Sequence, residues 1–158
     1  MKYCLLLGLG GLMLAGSCKK AALLSQAAID EARIKTYLTA NKIQALRDSS
    51  GLYFEILSPG DGVNFPNASS TITINYMGTL LSGTVFSSTS NSNGSGTTPI
   101  TLQLGTTVTG FQMGVEKISK GGSILILIPS AMGYGRLQQG QIPPNSVLVY
   151  QVELLQVY

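Results

Sequence analysis

From Thr71 through Tyr76 polar and apolar residues alternate at every step, in the run TITINYMG (71–78). A period of two fits a strand with one face buried and the other wet, and it does not fit a helix. One strand is not stable alone, so the chain must supply partners. They are visible on both sides: LYFEIL (52–57), LLSGTVFSS (80–88) around a turn at Gly83, ITLQLG (100–105), the continuously apolar GGSILILIP (121–129) and the long SVLVYQVELLQVY (146–158). Between them SPGDG (58–62) reads as a turn, SNSNGSG (90–96) as a polar glycine-rich loop and 130–145 as a longer loop. The 19 glycines among 158 residues fit a sheet with many tight turns better than a helical bundle. Only FQMGVEKI (111–118) has a short helical texture in this half. The expectation is one α+β domain, an antiparallel sheet wrapped around one short helix.

Ahead of the sheet, SQAAIDEARIKTYLTA (25–40) reads as a helical arm. Ser25 is its cap and Asn41 its stop, with Ile34, Tyr37 and Leu38 on one side and Ala27 and Ala28 further along. A spacer laying this stripe on the domain is preferred to a dimerisation arm. Residues 1–17 have the three parts of a secretory signal: Lys2, the apolar stretch Leu5 to Leu14, and the small residues Ala15, Gly16 and Ser17. The small run ending in Cys18 resembles a bacterial lipobox, in the form with serine before the cysteine seen in Bacteroidetes-like lipoproteins. Cys4 and Cys18 are the only cysteines, so acylation accounts for Cys18 better than a stray thiol does. The expected organisation is a signal at 1–17, a lipid-anchored tether and arm at 18–50, and a folded domain at 51–158.

Charge and composition remove several functions. No histidine is present, which excludes Ser–His and Cys–His nucleophile arrangements and histidine-ligated metal sites. Between Cys18 and Gly51 lie Lys19, Lys20, Arg33, Lys35, Lys42 and Arg47 against Asp30, Glu31 and Asp48. From Gly51 on, Lys117, Lys120 and Arg136 face Glu55, Asp61, Glu116 and Glu153. The folded part is nearly neutral and has no basic face with which to release counterions from nucleic-acid phosphates.

Four stretches, in order and spacing, resemble the FKBP family of peptidyl-prolyl cis/trans isomerases: INYMGTLLSGTVFSS (74–88), LGTTVTGFQMGVEKISKGG (104–122), IPSAMGYG (128–135) and IPPNSVLVYQVELL (142–155). The resemblance covers the whole folded part. It implies a half-barrel sheet curled around the helix near 111–118, with a shallow apolar pocket between them that takes a proline ring. Carried over by position, Tyr76 and Phe86 wall the pocket, Ile100 stands at an aromatic wall position, and Phe111 is the floor in place of the usual tryptophan. Thr107 and Val108 match the pair whose backbone holds the substrate peptide. Tyr134 offers a hydroxyl to the substrate carbonyl, Gln141 and Ile142 line the loop side, and Tyr150 comes from the last strand. Read without the family, Tyr76, Phe86, Phe111 and Tyr150 are residues any sheet would bury. Tyr134, between two glycines in a loop, is more exposed to a binding role.

Besides Ile100 and Phe111, the chain departs from the pattern at Gln141, which stands where an apolar residue is common, and most of all at Ser87. Ser87 replaces the aspartate that normally sits in the pocket bonded to the loop tyrosine; serine can still bond Tyr134 but brings no charge. The resemblance therefore implies an isomerase acting on X–Pro bonds of exported polypeptides, slow for its family, with weak macrolide binding and no cofactor. It implies a site in the cell envelope, held to a membrane (the outer membrane first) through Cys18. The alternative is a non-catalytic binding module or chaperone that kept the fold.

Overall fold

A computed structural model describes residues 25–90 and 96–158; the expected signal segment, Cys18 and most of the 90–96 loop lie outside the described residues. In chain order the elements are α1 (Gln26–Asn41), β1 (Leu46–Arg47), β2 (Tyr53–Ser58), β3 (Thr71–Leu80), β4 (Val85–Ser88), β5 (Ile100–Gln103), α2 (Thr109–Val115), β6 (Ser123–Ile128) and β7 (Leu148–Val157). The strands form one antiparallel sheet in the order β1-β2-β6-β7-β3-β4, and β5 shares the outer edge of β3 with β4. The expected α+β arrangement is present, an antiparallel sheet with a short helix laid on it and the helical arm ahead of it. Two boundaries differ from the sequence reading. The sheet begins at Leu46 rather than after Gly51, and α2 starts at Thr109, two residues before the expected helix at 111.

Helices on both faces explain the composition of the central strands. In β6, Ile124, Ile126 and Ile128 are fully buried on the α2 side, and Leu127 is fully buried on the other, in a cluster with Ile34 of α1, Tyr53 and Val149. A strand covered on both faces reads as continuously apolar, which is why SILILI lacks alternation. In β7, Leu148, Tyr150, Val152 and Leu154 face the α2 side, Val149 lies under α1, and Gln151 and Glu153 are exposed. The alternation returns where no helix covers the outer face.

The arm helix lies against the sheet. Ser25 caps it, its hydroxyl accepting the Ala28 N–H at 3.3 Å, and Ile34 is its buried anchor with Tyr37 and Leu38 alongside. Ala27 and Ala28 stay exposed, however, and the second fully covered position is Asp30. Further along, Asp48 pairs with Lys117 at 3.3 Å, and Lys117 lies 4.5 Å from the centre of the Phe54 ring, fastening the start of the sheet to the segment after α2.

α2 lies on β6 through its glycines. A methyl group at Gly110 would overlap the Ile128 side chain, and one at Gly114 would overlap Ile126. These positions are four apart and so share one face of the helix. Without Cβ atoms there, the helix axis settles closer to the sheet than a larger residue would allow. Gly114→Ala tests this directly. Helix propensity alone expects a gain of roughly 1 kcal/mol, whereas overpacking expects a net loss of about 1–3 kcal/mol. Urea unfolding decides between them, and a stabilised variant would contradict the close approach.

Candidate active site

Tyr150 is the hub of the site. Register places it in β7 between Ile126 of β6 and Gly78 of β3, so its ring projects from the middle of the sheet toward α2. Phe111, in the first turn of α2, meets it edge-on with ring centres 5.0 Å apart and planes at 76°. Phe86 of β4 meets it from another side at 5.5 Å and 81°, and Tyr76 of β3 at 6.1 Å and 45°. Edge-to-face pairs at these distances each add a modest stabilisation beyond the area they bury. The aromatic set is therefore a fixed frame.

Around it is an open hollow in two lobes that share Tyr76, Tyr134 and Tyr150. One lobe, of about 330 Å³, is completed by Thr106, Thr107, Val108 and Phe111. The other, of about 370 Å³, is completed by Phe86, Ser87 and the loop from Gln139 to Ile142. Among the described residues, no carboxylate, lysine or arginine lines either lobe. A larger concavity of about 530 Å³ lies on the outer face of the sheet; unlike the two lobes it is bordered by a carboxylate, Glu153, along with Ser58, Asn75 and Gln151.

The expected residues thus converge, with two corrections. Ile100 lies on β5 opposite Ile74, is 37% exposed and lines neither lobe, because β5 pairs with the far end of β3 from the hollow. Ser87 does not bond Tyr134: its hydroxyl is 2.6 Å from that of Tyr76. A serine side chain is one carbon shorter than aspartate and meets the nearer tyrosine, on the strand pair β3–β4.

Thr107 and Val108 reach the hollow through the segment before α2. The Thr107 carbonyl accepts the Gln112 side-chain amide at 2.6 Å, and the Val108 carbonyl accepts the Phe111 and Gln112 N–H groups at 2.9 and 3.2 Å. The Val108 N–H stands at the helix start, where α-helices leave donors unpaired, and it has no partner among the described residues.

Sequence reasoning missed Gly78, Gln112, Thr106, Gln139 and Gly140. A Cβ on Gly78 would lie 2.6 Å from the Phe86 ring and 2.9 Å from that of Tyr150, so this glycine gives the two rings their space. Its signal was available: a glycine inside an alternating strand marks a close approach. Gln112 carries no such signal, since its partners are backbone carbonyls.

Burial, and after it the nearby Tyr134 and Tyr76 phenols, push the Tyr150 hydroxyl above the ordinary tyrosine range. It is a neutral donor at any physiological pH. Folding therefore favours its protonated form: that preference is intact below the unfolded value of about 10 and erodes stability as pH rises beyond it. Urea midpoints between pH 8 and pH 11 should fall for the wild type and fall less steeply for Tyr150→Phe. Parallel slopes would show that Tyr150 is not the group responsible.

The comparisons agree with this geometry. Residues 62–155 match the family model for the FKBP-type peptidyl-prolyl cis-trans isomerase. The Escherichia coli isomerase FkpA is 36% identical over 143 residues, covering 89% of this chain and 51% of that protein. Its crystal structure superposes with a TM-score of 0.70, covering 83% of this chain and 60% of that one. FK506-binding protein 1 of Saccharomyces cerevisiae is 42% identical over 102 residues, 64% of this chain and 88% of the relative. The outer membrane protein MIP of Legionella longbeachae is 31% identical over 131 residues, 81% of this chain and 54% of the relative. The chain spans about half the length of FkpA and MIP. By family model, by identity and by fold, the chain belongs to the FKBP-type peptidyl-prolyl cis-trans isomerases.

Proposed function

We propose that the chain catalyses cis–trans isomerisation of X–Pro bonds in exported polypeptides and assists their folding in the cell envelope. The observation that carries this reading is an aromatic-floored hollow with no charged side chain among the described residues that line it. Rotation about an X–Pro bond is slow because the planar amide loses resonance at the twisted midpoint, against a barrier of about 18–20 kcal/mol. The planar amide is charge-separated and the twisted one is less so. An uncharged apolar site that the bound peptide covers disfavours the planar form more than the twisted one. The proline ring would sit over Phe111 and against Tyr150, with the Val108 N–H and the Tyr134 hydroxyl donating to substrate carbonyls. No nucleophile, cofactor or metal is needed for a rotation.

Ser87 supports the further reading that the enzyme is slow for its family and binds macrolides weakly. Its hydroxyl is engaged by Tyr76 and it supplies no charge. The same observation favours the second reading, a binding module or chaperone that retains the pocket without catalysis. A proline-limited tetrapeptide assay on the full chain separates them. Isomerisation above the uncatalysed rate is expected, with Phe111→Leu, which stays apolar and removes the ring, lowering kcat/KM by roughly three- to tenfold, about 0.7–1.4 kcal/mol. Ser87→Asp is expected to raise it by a similar factor. A wild-type rate equal to the uncatalysed one would leave the binding-module reading.

Membrane attachment through acylated Cys18, as in Bacteroidetes-like lipoproteins and with the outer membrane as its site, belongs to the same proposal. It is supported by the apolar run Leu5 to Leu14, the small residues before Cys18 and the absence of any partner cysteine after it. Cells expressing the full chain should incorporate labelled palmitate into it and lose that label with Cys18→Ala. Label retained in the variant would exclude Cys18 as the acylation site.

A further inference from the structure

Asp30 is a carboxylate where a docked helix needs none. It is 1% exposed, on the face of α1 that packs on the domain, and no lysine or arginine pairs with it among the described residues. Its oxygens are held by neutral donors instead. Oδ2 accepts the Ser130 N–H at 2.8 Å and the Ser130 hydroxyl at 2.6 Å, and Oδ1 accepts the Gln26 side-chain amide at 2.7 Å. Burying a carboxylate is costly unless its bonds are good. An apolar residue beside Ile34 would fasten the helix more simply, so attachment alone does not account for Asp30.

Its partner does. Ser130 is the first residue of a short 3-10 turn, Ser130–Met132, that leaves β6 and opens the loop carrying Tyr134. The Ser130 carbonyl accepts the N–H of Gly133 at 3.0 Å and of Gly135 at 2.8 Å, the two residues that flank Tyr134. Gly135 has φ +58, and its own carbonyl accepts the Asn145 N–H at 2.6 Å at the loop's other end. Glycines on both sides leave a tyrosine free to swing unless their amides are tied down. Ser130 ties both, and Asp30 holds Ser130 from the opposite side. We infer that Asp30 is a positioning residue for Tyr134, so that the N-terminal helix is part of the active site and not only a spacer. This rests on the reading above, in which Tyr134 donates to the substrate.

The test is a double-mutant cycle on the full chain, read by the proline-peptide assay and by hydrogen exchange at Gly133 and Gly135. Asp30→Ala should lower kcat/KM by roughly tenfold, mainly through KM, and should have little effect in a Tyr134→Phe background, since coupled residues are not additive. Exchange at both glycine amides should speed up by at least about tenfold, the mark of local opening. Ile34→Ala, which weakens docking without touching Ser130, should lower the unfolding midpoint and leave kcat/KM unchanged well below it. If Asp30→Ala does not fold, Ser130→Ala removes only the hydroxyl donor and should give the same non-additive pattern with a smaller loss. Additive effects of either variant with Tyr134→Phe, or an active Asp30→Ala beside an impaired Tyr134→Phe, overturn the inference. A Tyr134→Phe enzyme with wild-type kcat/KM instead overturns the role given to Tyr134, and the inference with it.

Discussion

The distance between α2 and the sheet decides what the rest of the molecule can be. Gly110 and Gly114 face Ile128 and Ile126 with no side chain between, so the helix lies low over β6. Phe111, next to Gly110, is then carried against Tyr150, the residue opposite Ile126 in the neighbouring strand. A helix one methyl further out would lift the ring off the sheet and open the frame to water. The floor of the hollow is in this sense a by-product of helix–sheet packing. That is why the two glycines belong to the site although neither lines it.

Most of the fold was legible because its strands differ in how they are covered. β3 alternates, β6 does not, and the closing strand changes from apolar to alternating along its length, each following the presence or absence of a helix on its outer face. Propensity could not give β1, which is two residues long and exists only because Leu46 and Arg47 pair with Phe54 and Tyr53. The site was legible as a family pattern and only partly as chemistry. Tyr76, Phe86, Phe111, Tyr134 and Tyr150 converge, but each alone is a residue that cores bury. Ile100 was misplaced because the pattern of a strand does not say which half of its neighbour it pairs with. Ser87 was assigned the wrong partner because a contact between two hydroxyls depends on reach, and reach is not visible in a string of residues.

Asp30 marks a different limit. In the sequence it belongs to a charged helix start, one of two adjacent acids in the arm. Glu31 behaves as such a residue does: it is paired with Lys35 at 2.7 Å, and that pair holds its carboxyl below the ordinary range. Exposed pairs of this kind add little stability. Asp30 is buried against a residue a hundred positions away. Nothing in the local pattern separates the two acids; the rotation of the helix on its bed does, turning Asp30 inward to Ser130 and leaving Glu31 on the outer side.

The absence of charge from the hollow and the fullness of its hydrogen bonding are two sides of one arrangement. Tyr76 and Ser87 satisfy each other, the Thr107 carbonyl is taken by Gln112, and the Val108 carbonyl begins the helix. What is left facing the hollow is the Val108 N–H, the Tyr134 and Tyr150 hydroxyls, the side chains of Gln139 and Gln141, and apolar ring surface. Such a site can hold carbonyl oxygens and a ring, and the described residues that line it include neither a carboxylate nor a histidine to serve as a general base. Rotation about an amide asks for nothing more. An aspartate at position 87 would add a charge beside that small set of donors; Ser87 brings none. Shape is set by packing and field by one side chain, so binding and turnover in this fold can be varied separately.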